Sequence, residues 1–170
     1  MSAYTNSHPD STTGNCETSG LQPGLDAHQI AANNNPVRAL AHTPAGPDHQ
    51  VVTVVGPSKS FRRTPCNGCP WVCDNAGNFP PEAFVHSART AYDMAESQFA
   101  CHESGTHKPT TCAGYLLRGA EHNLAHRLAL LRGQEFTGLN EGPRALFDTY
   151  RDMAIANGVE PDHPALQPCR

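Results

Sequence analysis

Residues 65–71 read PCNGCPW: two cysteines bracket two residues, a proline stands on either side, and the chain's single tryptophan follows. Further on come FACHES (99–104) and TCAGYLL (111–117). A C-x-x-C turn lets two sulfurs reach one ion. Zinc takes four ligands in a tetrahedron and prefers thiolate and imidazole. Cys66 and Cys69 supply one pair. Cys101 and Cys112 bracket a ten-residue loop and supply a second. The spacing therefore predicts a structural metal site made by Cys66, Cys69, Cys101 and Cys112.

Two residues compete for places in that set. Cys73 lies four residues after Cys69 and joins if the turn curls into a helical segment. His102 adjoins Cys101, but neighbours in an extended segment point oppositely, so a metal-facing Cys101 turns His102 away and puts Phe99 on the metal side. Three other readings of the cysteines are open. Buried cysteines can act simply as small apolar residues. A thioredoxin-like redox pair wants a long preceding strand and a helix starting at the second cysteine, whereas Pro70 and Trp71 follow here. Four thiolates also hold iron–sulfur clusters, and the sequence does not separate such a cluster from zinc. Cys16 and Cys169 fall in terminal segments and read as free thiols.

Outward from this centre the chain reads as α+β. QVVTVVG (50–56) is a β-branched run closed by glycine and proline, a short strand. Pro80 and Pro81 start a helix expected over about 81–97, with Phe84, Ala88, Ala91, Tyr92 and Ala95 as its apolar stripe. A second helix is expected from Ala113 to Arg132, ended by Gly133, and a third from about Pro143 to Gly158. Residues 1–50 have no aromatic besides Tyr4 and few large apolar side chains, which predicts a disordered tail. Residues 51–133 read as the cysteine-rich core, 134–158 as a helix packing on it, and 159–170, with three prolines, as a second tail.

His122 and His126 stand four apart in EHNLAHR, but no H-E-x-x-H is present, so they read as part of a solvated polar face. Arg62 and Arg63 precede Cys66 and read as surface charges, with contact to phosphate or to the anionic cysteine site as the alternative. Residues 57–132 carry eight bases and six acids. That mild excess neither argues for nor excludes nucleic acid. No glycine-rich phosphate loop and no G-x-S-x-G occurs. The start of the chain lacks a basic, apolar leader, and no run approaches a membrane span, so the expectation is a cytoplasmic chain with reduced thiols.

PCNGCPW, GNFPPEAF, AYDM, FACHES and CAGYLLRGAEHNLAHRLAL together resemble a family of small cysteine-rich proteins from actinobacteria and their phages, domain-of-unknown-function family 6283. The resemblance spans about residues 62–133. It singles out Cys66, Cys69, Pro70, Trp71, Phe79, Pro80, Phe99, Cys101, His102, Cys112, Ala113 and Gly114, and leaves Cys73 and His126 outside its pattern. It implies no activity. The reading that results is a metal-binding module, zinc first and an iron–sulfur redox or electron-transfer protein as the alternative, acting on a protein or nucleic-acid partner. A closed four-thiolate site has no open coordination position, so hydrolysis is not expected. A cysteine nucleophile with His102 or His122 as base is the remaining enzyme reading.

Overall fold

The computed structural model describes residues 38–56, 59–105 and 107–170. The expected N-terminal tail therefore lies mostly outside the described residues, but its last part does not. Arg38–Pro44 forms β1 and pairs antiparallel with β2 (Gln50–Val55), with a register shift between Ala39 and Ala41. β2 pairs in turn with a two-residue β3 (Ser97–Gln98), giving a three-stranded antiparallel sheet in the order β1-β2-β3. The fold is α+β, as the sequence indicates. β1 is weakly signalled because its apolar residues are mostly alanines, and its pairing with the β-branched β2 carries it.

Among the described residues there are four α-helices, each shorter than its sequence pattern. α1 (Pro81–Ser87) starts at the proline pair and passes into a 3-10 turn, Ala88–Ala91. The expected extension to 97 fails because Tyr92 turns extended, bridges Cys169 and donates its hydroxyl to the Ala165 carbonyl at 2.9 Å. The expected helix 113–132 is two helices, α2 (Ala113–Arg118) and α3 (Leu124–Leu131). Asn123 makes the break. Its side chain accepts the His126 amide as an N-cap and donates to the Ser97 carbonyl at 2.7 Å, so the side chain serves α3 and β3 together.

α4 (Tyr150–Ala156) starts seven residues later than expected, at a Thr149 cap that accepts from the Asp152 amide. The residues before it are drawn into strand-like pairing: Leu146 bridges Val72, the Cys73 amide donates to Ala145, and the Phe147 amide donates to Trp71. The last twelve residues are not a tail. A 3-10 turn, Pro164–Leu166, buries Leu166 completely.

The core is aromatic. Trp71, Tyr115 and Tyr150 are fully buried, and Phe99 packs with all three at centroid distances of 6.1–6.4 Å. Each tyrosine hydroxyl finds a carbonyl, Tyr150 at Phe84 (2.7 Å) and Tyr115 at Thr90 (3.2 Å). Two glycines let α2 close onto the indole. A Cβ at Gly114 would stand 2.5 Å from the Trp71 Cβ, and one at Gly119 2.6 Å from its Cη2. The tryptophan after the C-x-x-C thus fastens the cysteine turn to α2, the helix that begins next to Cys112.

Candidate metal centre

The C-x-x-C turn is tight: the Cys69 amide donates to Cys66 O at 3.1 Å and the Val72 amide to Cys69 O at 3.0 Å. Two distant side chains hold its outward carbonyls. Asn75 donates to Asn67 O and Cys69 O at 2.9 and 2.8 Å, and Arg144 donates to Asn67 O and Cys66 O at 2.8 and 2.7 Å. They pair Asn67 O, which the turn leaves without a backbone donor, and add a second donor to Cys66 O and Cys69 O, and so fix the shape of the turn.

The second pair of cysteines comes from the two ends of the loop 101–112. The Cys101 amide donates to Thr110 O and the Cys112 amide to Phe99 O. This short ladder sets Cys112 directly before α2 and Cys101 directly before a 3-10 turn, His102–Ser104. Cys66 Sγ lies 3.8 Å from Cys101 Sγ, and Cys69 Sγ lies 3.7 Å from Cys112 Sγ. The thiols of Cys66 and Cys69 also interact with each other, joining the two pairs.

Of the two competitors, His102 enters the cluster and Cys73 does not. The His102 Nδ1 lies 3.7 Å from Cys66 Sγ, and ligand atoms of Cys66, Cys101 and His102 all fall within 4.8 Å of one another, a set able to hold a metal ion. This corrects the alternation argument. The chain stops being extended at Cys101, because the 3-10 turn begins at His102 and swings the ring back over the knuckle. Its ring sits against Gly68, where a Cβ would come within 3.0 Å of Nε2, and edge-on to Phe79 at 5.5 Å. Phe99 joins the aromatic core instead of walling the cage. Cys73 begins a 3-10 turn two residues after Trp71, and its thiol has no hydrogen bond to the cluster among the described residues.

Arg62 is more than a surface charge. Its Nε donates to Cys101 Sγ at 3.5 Å, and its other arm pairs with Glu103 at 2.5 Å. The only sequence signal was a base four residues before the C-x-x-C. His122 and His126 do not form a pair on one helix face, since Asn123 starts α3 between them. The His126 ring packs on Phe136 at 5.1 Å, and burial lowers its pKa.

Electrostatically the cluster is a set of thiols that cannot ionise together. Cys101 donates to Cys66 and favours its thiolate, but the bond with Cys69 and burial outweigh this and push Cys66 up to about 12. The bond with Cys112, helped by burial, pushes Cys69 up to about 12. The bond with Cys66 and burial raise Cys101, against the Arg62 contact. Burial lowers His102, which is neutral at pH 7. The backbone amides of Trp71 and Glu103, each two residues after a cysteine, act the other way and favour thiolates at Cys69 and Cys101. Packed thiols with amides and a guanidinium aimed at their sulfurs suit a bound cation better than a cluster of free thiols.

A model for a family of unknown function, DUF6283, matches residues 61–170. The chain belongs to this family. The match takes in the whole cysteine cluster and continues through α4 to the C-terminus, well past the motifs visible in the sequence. No curated protein and no solved structure matches the chain. No helix among the described residues is long and apolar enough to cross a membrane.

Proposed function

We propose that this family member is a metal-binding module in which Cys66, Cys69, Cys101 and Cys112 hold one zinc ion, with His102 beside Cys66. The observation that carries the reading is the sulfur spacing. Zn–S bonds of about 2.3 Å in a tetrahedron require sulfurs about 3.8 Å apart; two of the six sulfur pairs stand at 3.8 and 3.7 Å. The set lying mutually within 4.8 Å is Cys66, Cys101 and His102, so binding would draw Cys69 and Cys112 in toward that set. The ion would tie the 66–69 turn to both ends of the 101–112 loop, and its binding energy would be folding energy for a domain of short helices. In this reading Arg62 and His102 donate to the Cys101 and Cys66 thiolates and offset the excess negative charge of four sulfurs. A four-thiolate shell has no open position, so the module acts through its surface, on a protein or nucleic-acid partner.

Metal analysis of the full chain, purified anaerobically, tests this. The expected result is a colourless protein with one zinc per chain that loses cooperative unfolding when a chelator strips the metal. Brown colour with iron and acid-labile sulfide would replace zinc by an iron–sulfur cluster on the same cysteines. A folded protein that takes up neither metal would overturn the reading.

A further inference from the structure

Beside the cysteine cluster lies a cleft of about 450 Å³ between β2 and α1. This is within the usual size of small-molecule sites, roughly 300–1,000 Å³. Cys101 and His102 form one edge of it, and the reading that follows does not depend on the metal. Phe79, Phe84 and Phe99 line the cleft, with Phe79 and Phe84 edge-to-face at 6.4 Å.

The polar groups of the lining fall into two kinds. Ser87, Thr90 and Gln98 spend their donors on carbonyls of the fold. Arg89, His49 and His86 do not. Arg89 makes one hydrogen bond, to the Thr53 hydroxyl, and has no acid partner among the described residues. The ring nitrogens of His49 and His86 have no hydrogen-bond partner there either; His49 touches Phe79 only through its ring. The lining holds one acid, Asp48, on the hairpin turn between β1 and β2.

We propose that this cleft binds a small aromatic carboxylate, with its ring among the phenylalanines and its carboxylate on Arg89, assisted by His86 or His49. A guanidinium that still has most of its five donors free matches a carboxylate in two parallel bonds. An aromatic ring gains edge-to-face contacts with Phe79 and Phe84. A cationic amine of the same shape would meet Arg89 unfavourably, so charge decides between the two.

The probes are indole-3-acetate, benzoate and, as the opposite charge, benzylamine, titrated into the full chain by calorimetry and by amide NMR. The expected result is saturable carboxylate binding, tightest for indole-3-acetate, with shifts at Thr53, Phe79 and Arg89 and none of comparable size for benzylamine. Arg89→Gln should weaken binding at least tenfold while metal content and the unfolding midpoint stay unchanged. Arg89→Lys, which keeps the charge but loses the fork, should fall between the two and serves if the glutamine variant does not fold. Equal binding of benzylamine, an unchanged affinity in Arg89→Gln, or shifts centred on Cys101 that ignore Arg89 would overturn the proposal. These outcomes leave the zinc reading untouched, since that is scored by metal content.

Discussion

The two thiol pairs have nearly the same sulfur separation but different surroundings. Cys69 and Cys112 are the inner pair, 0% and 2% exposed, behind Trp71 and at the start of α2. Cys66 and Cys101 are the outer pair, 9% and 3% exposed, and two side chains from the surface, Arg62 and His102, reach their sulfurs. The inner pair is fixed by the hydrophobic core. The outer pair belongs to the same buried cluster but is also held by polar contacts that water can replace. One half of the site should therefore be coupled to folding, and the other should tolerate exchange of ligands.

The largest effect is expected from breaking the inner half. Cys69→Ser or Cys112→Ser should abolish metal uptake and cooperative unfolding, read by metal content and thermal denaturation. A folded, metal-loaded Cys112→Ser protein would mean that the outer residues alone form the site.

Acidification tests whether both halves contribute. Cys66, Cys69 and Cys101 have raised pKa values and are thiols at neutral pH. Binding must drive off their protons, so affinity falls as pH falls. Ligation turns four cysteines into thiolates, so the logarithm of the apparent zinc affinity should rise by about four per pH unit between about pH 6 and 8, measured by chelator competition. A slope near two would restrict the shell to the outer pair.

The outer half should degrade more gently. Cys101→Ser is expected to keep zinc at reduced affinity, because His102 stands within 4.8 Å of the remaining outer thiol. Cys101→Ser combined with His102→Ala should then lose it. If Cys101→Ser alone is as damaging as Cys69→Ser, the two halves are equivalent and the contrast drawn from burial fails.

A smaller effect separates the seat of the inner pair from its sulfurs. Gly114→Ala places a methyl 2.5 Å from the Trp71 Cβ. It should cost about 1–3 kcal/mol of stability by overpacking, with zinc stoichiometry retained. A midpoint equal to wild type would show that α2 can shift freely against the indole. Smallest of all, Arg62→Gln removes one half-exposed donor to Cys101 Sγ. It should lower zinc affinity by a few-fold, about 1 kcal/mol. An effect as large as that of Cys101→Ser would make Arg62 an essential part of the site.

The sequence by itself determined that the chain is α+β and that β2 begins at Gln50 and α1 at Pro81, and it marked Cys66, Cys69, Cys101 and Cys112 as candidate ligands. Those features are local or carried by residue type: β-branched runs, proline at a helix start, and thiols at a spacing one turn can close. The family match covers residues 61–170, which take in the cysteines and α1 but not β2. Tertiary structure decided the rest. It ended α1 early because Tyr92 gains a bridge to Cys169, and delayed α4 because 145–147 pair with 71–73. It split 113–132 at an asparagine that bonds two elements at once. It turned His102 toward the cysteines by starting a 3-10 turn where the sequence read a strand, and brought Arg62 to Cys101 across 39 residues of chain. Each of these outcomes is a competition between a local pattern worth tenths of a kcal/mol per residue and a long-range contact worth more. The distant partner is invisible until the chain is folded.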